Sequence, residues 1–145
     1  MTIIAYDGKT LAADKQCLHG NTRSSVTKIF RVGSELVGVS GCLPDGMELL
    51  EWFRAGATPS AFPSASRSRD GGAALLVIGA DGRARKYEVG PTPFYFDERQ
   101  VAAGCGDEAA LVAMACGKNA REAVEMAIRF NYGCGLGIDT LELNP

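Results

Sequence analysis

The chain is short of the residues that build metal and redox centres. It has a single histidine, His19, and its five cysteines (Cys17, Cys42, Cys105, Cys116 and Cys134) contain no CxxC pair and no Cys/His cluster. A structural zinc site and a bound cofactor are therefore not expected. An odd, dispersed set of thiols fits free cysteines in a reducing cytosol. No apolar run reaches membrane-spanning length and the first residues carry no signal-peptide pattern, so the reading is a cytoplasmic protein with no membrane partner. The formal charge of −2 leaves no basic excess to hold nucleic acid or an anionic membrane surface. Solenoid-type repeats are missing as well. The glycine-rich run Gly133-Cys134-Gly135-Leu136-Gly137 lacks the GxGxxG spacing and no helix follows it, so it reads as a turn between a helix and a strand.

What is present is an ordinary globular composition in 145 residues, enough for one domain spanning 1–145 with a real core. Short apolar runs over Thr2–Tyr6 and Lys9–Asp14 flank Asp7-Gly8, a strong hairpin signal. Lys28–Val32 and Glu35–Ser40 flank Gly33-Ser34, and a third hairpin over Ala73–Val89 turns at Asp81-Gly82. Asp45–Arg54, behind Pro44, has the spacing of an amphipathic helix, whereas 55–72 is rich in Ala, Ser, Pro and Gly and reads as an irregular loop. Gln100–Ala103 and Ile138–Leu143 read as strands. Asp107–Cys116 and Ala120–Phe130 read as helices parted at Gly117-Lys118-Asn119. Hairpins separated by blocks of helix imply antiparallel sheets with helices on their faces, an α+β fold.

Thr2 carries the chemical interest. Methionine ahead of a small residue can be trimmed, which would place a hydroxyl nucleophile and an α-amine of near-neutral pKa on one residue. A two-residue turn at Asp7-Gly8 pairs Tyr6 with Lys9 and sets Thr2 opposite Ala13, with Asp14 one step away. The turn at Gly33-Ser34 sets Lys28 opposite Val39, beside the Ser40-Gly41 corner. Either charge alone reads as a solvated strand end. Together they bring a carboxylate and an ammonium toward the hydroxyl.

Thr2-Ile3-Ile4-Ala5, Leu11-Ala12-Ala13-Asp14, Lys28-Ile29 and Ser40-Gly41-Cys42-Leu43-Pro44-Asp45, in that order, resemble the opening of proteasome β subunits and of the bacterial peptidase HslV. Ala103-Gly104-Cys105-Gly106 is similar to that family's Gly-Ser-Gly turn, and Ala120–Val124 falls at its second helix. The resemblance covers nearly the whole chain with a compressed middle. It implies a four-layer αββα sandwich, the N-terminal-nucleophile hydrolase fold. Thr2 would then be the nucleophile and its amine the base, with Lys28 supporting the alkoxide, Asp14 orienting Lys28, and the Gly41 N–H facing the oxyanion. Cys105 stands in the place of a supporting serine, and Asn131 and Cys134 stand where many family members have aspartate and serine. Cysteine is the weaker hydrogen-bonding partner.

The leading functional expectation is a threonine peptidase acting on peptides or unfolded chains inside a ring of identical subunits, with an ATP-driven unfoldase as a partner. Two rivals remain: a proteasome-like assembly protein without peptidase activity, and a hydrolase of non-peptide amides. A Cys105 nucleophile would need a base, and only His19, read as a loop residue, is on offer. Asp107-Glu108 reads as a first-turn charge pair and Phe94-Tyr95-Phe96 as core or subunit contact. Apolar surface is expected on the Asp45–Phe53 helix and around Phe94-Tyr95-Phe96.

Overall fold

Alternation decides the architecture, because successive side chains of a strand point to opposite faces. The computed structural model describes residues 1–63 and 72–145; of the expected 55–72 loop, 64–71 lie outside the described residues and Pro59–Ala61 forms a single 3-10 turn. In chain order the elements are β1 (Ile3–Tyr6), β2 (Thr10–Asp14), β3 (Gln16–His19), β4 (Thr22–Ser25), β5 (Ile29–Val32), β6 (Glu35–Gly41) and α1 (Leu43–Arg54). There follow β7 (Ala73–Ile78), β8 (Ala84–Tyr87), β9 (Phe94–Tyr95), β10 (Val101–Gly104), α2 (Asp107–Ala115), α3 (Ala120–Phe130) and β11 (Ile138–Glu142).

One antiparallel sheet has the order β10-β1-β2-β11 and the other β5-β6-β7-β8-β9, with β3 and β4 as a separate ribbon. Ile4 and Tyr6 of β1 face Leu36, Leu76 and Ile78 of the second sheet, forming the layer between the sheets. Ile3 and Ala5 point the other way, onto Ala110, Met114, Ala123 and Val124 of α2 and α3. Val37, Val39, Leu75 and Val77 turn outward against Leu49, Leu50, Trp52 and Phe53 of α1. The result is the expected four layers: α1, sheet, sheet, α2 with α3. Asn119 begins α3 with a reciprocal capping box, its side chain accepting from the Glu122 N–H while Glu122 accepts from the Asn119 N–H.

Three expectations need correction. The first hairpin turn is longer than two residues: the Asp7 carboxylate accepts from the Lys9 and Thr10 N–H groups, so Tyr6 pairs with Leu11 and Ile4 with Ala13. That moves the register by two residues, which preserves the faces and brings Asp14 level with Ile3, whose N–H its carboxylate accepts. His19 lies not on a loop but at the end of β3, paired with Thr22 of β4. Finally, α1 does not expose its apolar stripe, since Leu49, Leu50, Trp52 and Phe53 are buried within the chain itself. The second hairpin keeps the register expected of it, and the Val39 N–H donates to the Lys28 carbonyl at 2.8 Å.

Candidate active site

Asp14 is the centre from which the site is built. Its carboxylate is completely buried at the end of β2, and all four of its acceptor positions are used. Oδ1 accepts from the Ile3 N–H at 3.1 Å and from the Lys28 ammonium at 2.8 Å. Oδ2 accepts from the Gln16 N–H at 3.1 Å and the Gly135 N–H at 3.0 Å. A buried carboxylate needs this degree of satisfaction to persist as an anion. Lys28 is itself only 3% exposed, and its Nζ also donates to the Met1 carbonyl at 3.1 Å. That carbonyl belongs to the peptide bond joining Met1 to Thr2. The ammonium is therefore held against the backbone of Thr2 by a fixed counter-charge.

Two clefts meet at Thr2. One, of about 790 Å³, is lined by Met1, Thr2, Ser40, Gly41, Cys105 and Asp107 among others. The second, of about 850 Å³, adds Gln16, Cys17, His19, Lys28 and Cys42 around the same Thr2 and Gly41. Both are within the roughly 300–1,000 Å³ usual for small-ligand sites. Gly41 closes β6 with φ 86°, and any Cβ there would run into the Gly72 carbonyl oxygen. Gly104 plays the same part on the other side: φ is 103° and a Cβ would collide with the Thr2 carbonyl oxygen. Only glycine permits so close a backbone approach at these two points, to Gly72 at the first and to Thr2 at the second.

Cys105, on the turn between β10 and α2, directs its Sγ to the Thr2 carbonyl oxygen at 3.4 Å. The same sulfur is 3.5 Å from Cys134 Sγ. Burial, then the contact with Cys105 and the charge of Asp14, push the Cys134 thiol up to about 12. Asn131 ties the two segments together: its Nδ2 donates to the Cys105 carbonyl at 3.1 Å and its Oδ1 accepts from the Gly133 N–H at 2.9 Å.

Thr2, Asp14, Lys28, Gly41 and Cys105, picked out from the sequence, thus lie around one point. His19 does not serve Cys105: it bonds Ser24 Oγ at 2.8 Å and lines the second cleft, while Cys105 lines the first. Sequence reasoning singled out Asn131 and Cys134 but missed the part played by Gly135 and by Gln16, which is buried and donates from Nε2 to the Tyr132 carbonyl at 3.0 Å. The glycine-rich run was the visible sign, but its contribution is a backbone N–H, which residue type does not reveal. Among the described residues no group of three or more His, Cys, Asp or Glu could hold a metal ion, and no helix is long and apolar enough to cross a membrane.

Two antiparallel sheets between layers of helix are the proteasome-like αββα fold. The solved structures agree. Thiobacillus denitrificans BPH in complex with epoxomicin matches over 100% of both chains with a TM-score of 0.74 at 22% identity. A further structure of Thiobacillus denitrificans BPH matches over the same extent at 0.72 and 21%. Eukaryotic HslV from Trypanosoma brucei covers 97% of each chain at 0.69 and 18%. No family model and no curated protein matches the sequence. The chain has the fold of HslV and BPH.

Proposed function

We propose that this chain is a threonine-type peptidase subunit, with Thr2 as nucleophile once Met1 is removed, hydrolysing peptide bonds in the chamber of a ring of identical subunits. The observation that carries the reading is the Lys28–Asp14 pair, buried beneath Thr2 with the ammonium 2.8 Å from the carboxylate and 3.1 Å from the carbonyl preceding Thr2. A threonine hydroxyl is a poor nucleophile near neutral pH, and adjacent positive charge favours its alkoxide. In the proposed reaction the Thr2 oxygen bonds to the substrate carbonyl carbon and its proton passes to the freed α-amine. The Gly41 N–H faces the resulting oxyanion, a contact whose loss in comparable enzymes costs about 2.7–4 kcal/mol. Collapse breaks the C–N bond, the leaving amine takes the proton, and water then hydrolyses the ester on Thr2. Two clefts flanking the nucleophile suit a chain running through the site in both directions.

Epoxomicin, held by the Thiobacillus protein of the same fold, supplies a ligand to try first. Thr2→Ala is expected to abolish labelling by an electrophilic threonine-directed probe and to abolish peptide hydrolysis, with the circular-dichroism spectrum unchanged. Labelling that moves to Cys105 would transfer the role of nucleophile to the thiol. A second reading, an assembly protein without peptidase activity, is favoured if Met1 stays: Thr2 nitrogen is then an amide and cannot act as the base. Intact mass of the purified protein separates the two. An ATP-driven unfoldase feeding the ring belongs to the first reading alone. Stimulation of protein hydrolysis by a partner and ATP would support it.

A further inference from the structure

Two thiols in contact, one of them hydrogen-bonded to the Thr2 carbonyl, are more than a pair of small packing residues. Cys105 and Cys134 come from segments 29 positions apart, the first exposed on the β10–α2 turn and the second buried after α3. Their sulfurs are 3.5 Å apart. A disulfide needs about 2.05 Å, a closure of roughly 1.5 Å. The backbone is suited to give it, since Gly104 and Gly106 flank one cysteine and Gly133 and Gly135 the other. Exposure differs in a useful way: an oxidant reaches Cys105 from the cleft, while Cys134 waits behind it.

We propose that Cys105 and Cys134 are a redox-active pair that closes to a disulfide in the presence of a peroxide and thereby loosens the hold on Thr2 and Asp14. Hydrogen peroxide, the oxidant, first converts the Cys105 thiol to a sulfenic acid with release of one water. The Cys134 sulfur then attacks the Cys105 sulfur, the S–S bond forms, the S–O bond breaks, and a second water leaves. Two thiols lose two electrons in all, and the peroxide accepts them. A disulfide sulfur has no proton, so the contact from Cys105 to the Thr2 carbonyl ceases to be a hydrogen bond. Movement of Cys134 also displaces Gly135, whose N–H is bonded to Asp14 Oδ2, and Asp14 is what holds Lys28. Burial keeps the Cys134 thiol protonated, so its attack is slow at neutral pH and quickens as pH rises.

The test is peroxide treatment of the full chain, alkylation with N-ethylmaleimide, and peptide mapping without reductant. A linked Cys105–Cys134 peptide is expected, with loss of two hydrogen atoms in intact mass, reversal by dithiothreitol, and faster formation on going from about pH 7 to 9. In Cys134→Ser, Cys105 should instead be trapped as sulfenic acid by dimedone. Both cysteines remaining alkylatable, or a link from Cys105 to Cys17, Cys42, Cys116 or another chain, overturns the pair. Hydrogen exchange reads the coupling without any need for activity: the Gly135 and Ile3 amides should exchange about tenfold faster in the disulfide form, within the usual range for coupled sites. Unchanged exchange overturns the coupling. The effect on Thr2 rests on the peptidase reading, and there probe labelling should fall in the disulfide form and return on reduction. Failure of the reduced protein to label sinks that reading, while the peptide map and the exchange rates still decide the cysteine pair.

Discussion

Asp14 and Lys28 can be buried side by side only because each neutralises the other and backbone N–H groups fill what remains. Removing one member of such a pair strands the other, typically at a cost of about 3–5 kcal/mol. Lys28→Ala is therefore expected to lower both the melting temperature and turnover, the latter by orders of magnitude. Lys28→Arg keeps the charge and should recover part of the stability but not the turnover, because a planar fork does not fit the place of a compact ammonium in a site this closed. Comparing kcat/KM with thermal melting across the two variants separates the roles. Near-normal turnover in Lys28→Ala would remove lysine from the proposed chemistry.

At the scale of elements, the two sheets approach closely because β6 presents Gly38 where β1 presents Ile4. A Cβ on Gly38 would lie 2.8 Å from Ile4 Cδ1 and 3.0 Å from Cγ2, closer than a packed core allows. Gly38→Ala should accordingly destabilise by about 1–3 kcal/mol in chemical denaturation. Combined with Ile4→Val, which trims the atom it meets, it should cost less than the two single changes added together. Simple additivity would mean that the strain is relieved elsewhere. The same pair bears on the proposed function: β1 leads directly from Thr2, so a displaced Ile4 shifts Thr2 against Lys28 and Gly41. A fall in activity larger than the fall in stability explains would follow from that connection.

For the molecule as a whole, the apolar surface left bare is only partly where sequence alone puts it. The α1 stripe is buried, whereas Val112 on α2 is 65% exposed, Phe130 at the end of α3 is 71% exposed and Tyr132 is 84% exposed. Phe94 and Tyr95 are also exposed, in line with a contact role. In the proposed ring such side chains would lie against a neighbouring subunit. Light scattering at micromolar concentration is expected to give a mass several times the 15.3 kDa of one chain. Phe130→Asp with Tyr132→Asp should drive the assembly toward monomers while leaving the circular-dichroism spectrum intact. A stable monomer with full peptidase activity would refute the enclosed-chamber model.

Local pattern was sufficient for most of the elements. Period-two runs and the Gly33-Ser34 and Asp81-Gly82 turns located three hairpins, and Asn119 and Gly117 located the ends of α2 and α3, because turn and cap chemistry act within a few residues. The same local logic placed Asp14 and Lys28 near Thr2. It misjudged the first turn, where the Asp7 side chain competes for backbone N–H groups, and it missed the β3–β4 ribbon, whose polar residues lack a strong alternation. The contacts that complete the site belong to tertiary structure alone. Gly135 reaches Asp14 across 121 residues, Cys105 reaches Thr2 across 103, and the two cysteine sulfurs meet only once α2 and α3 have packed on the sheet. These are decided by burial of a shared core, and no nearest-neighbour preference encodes them.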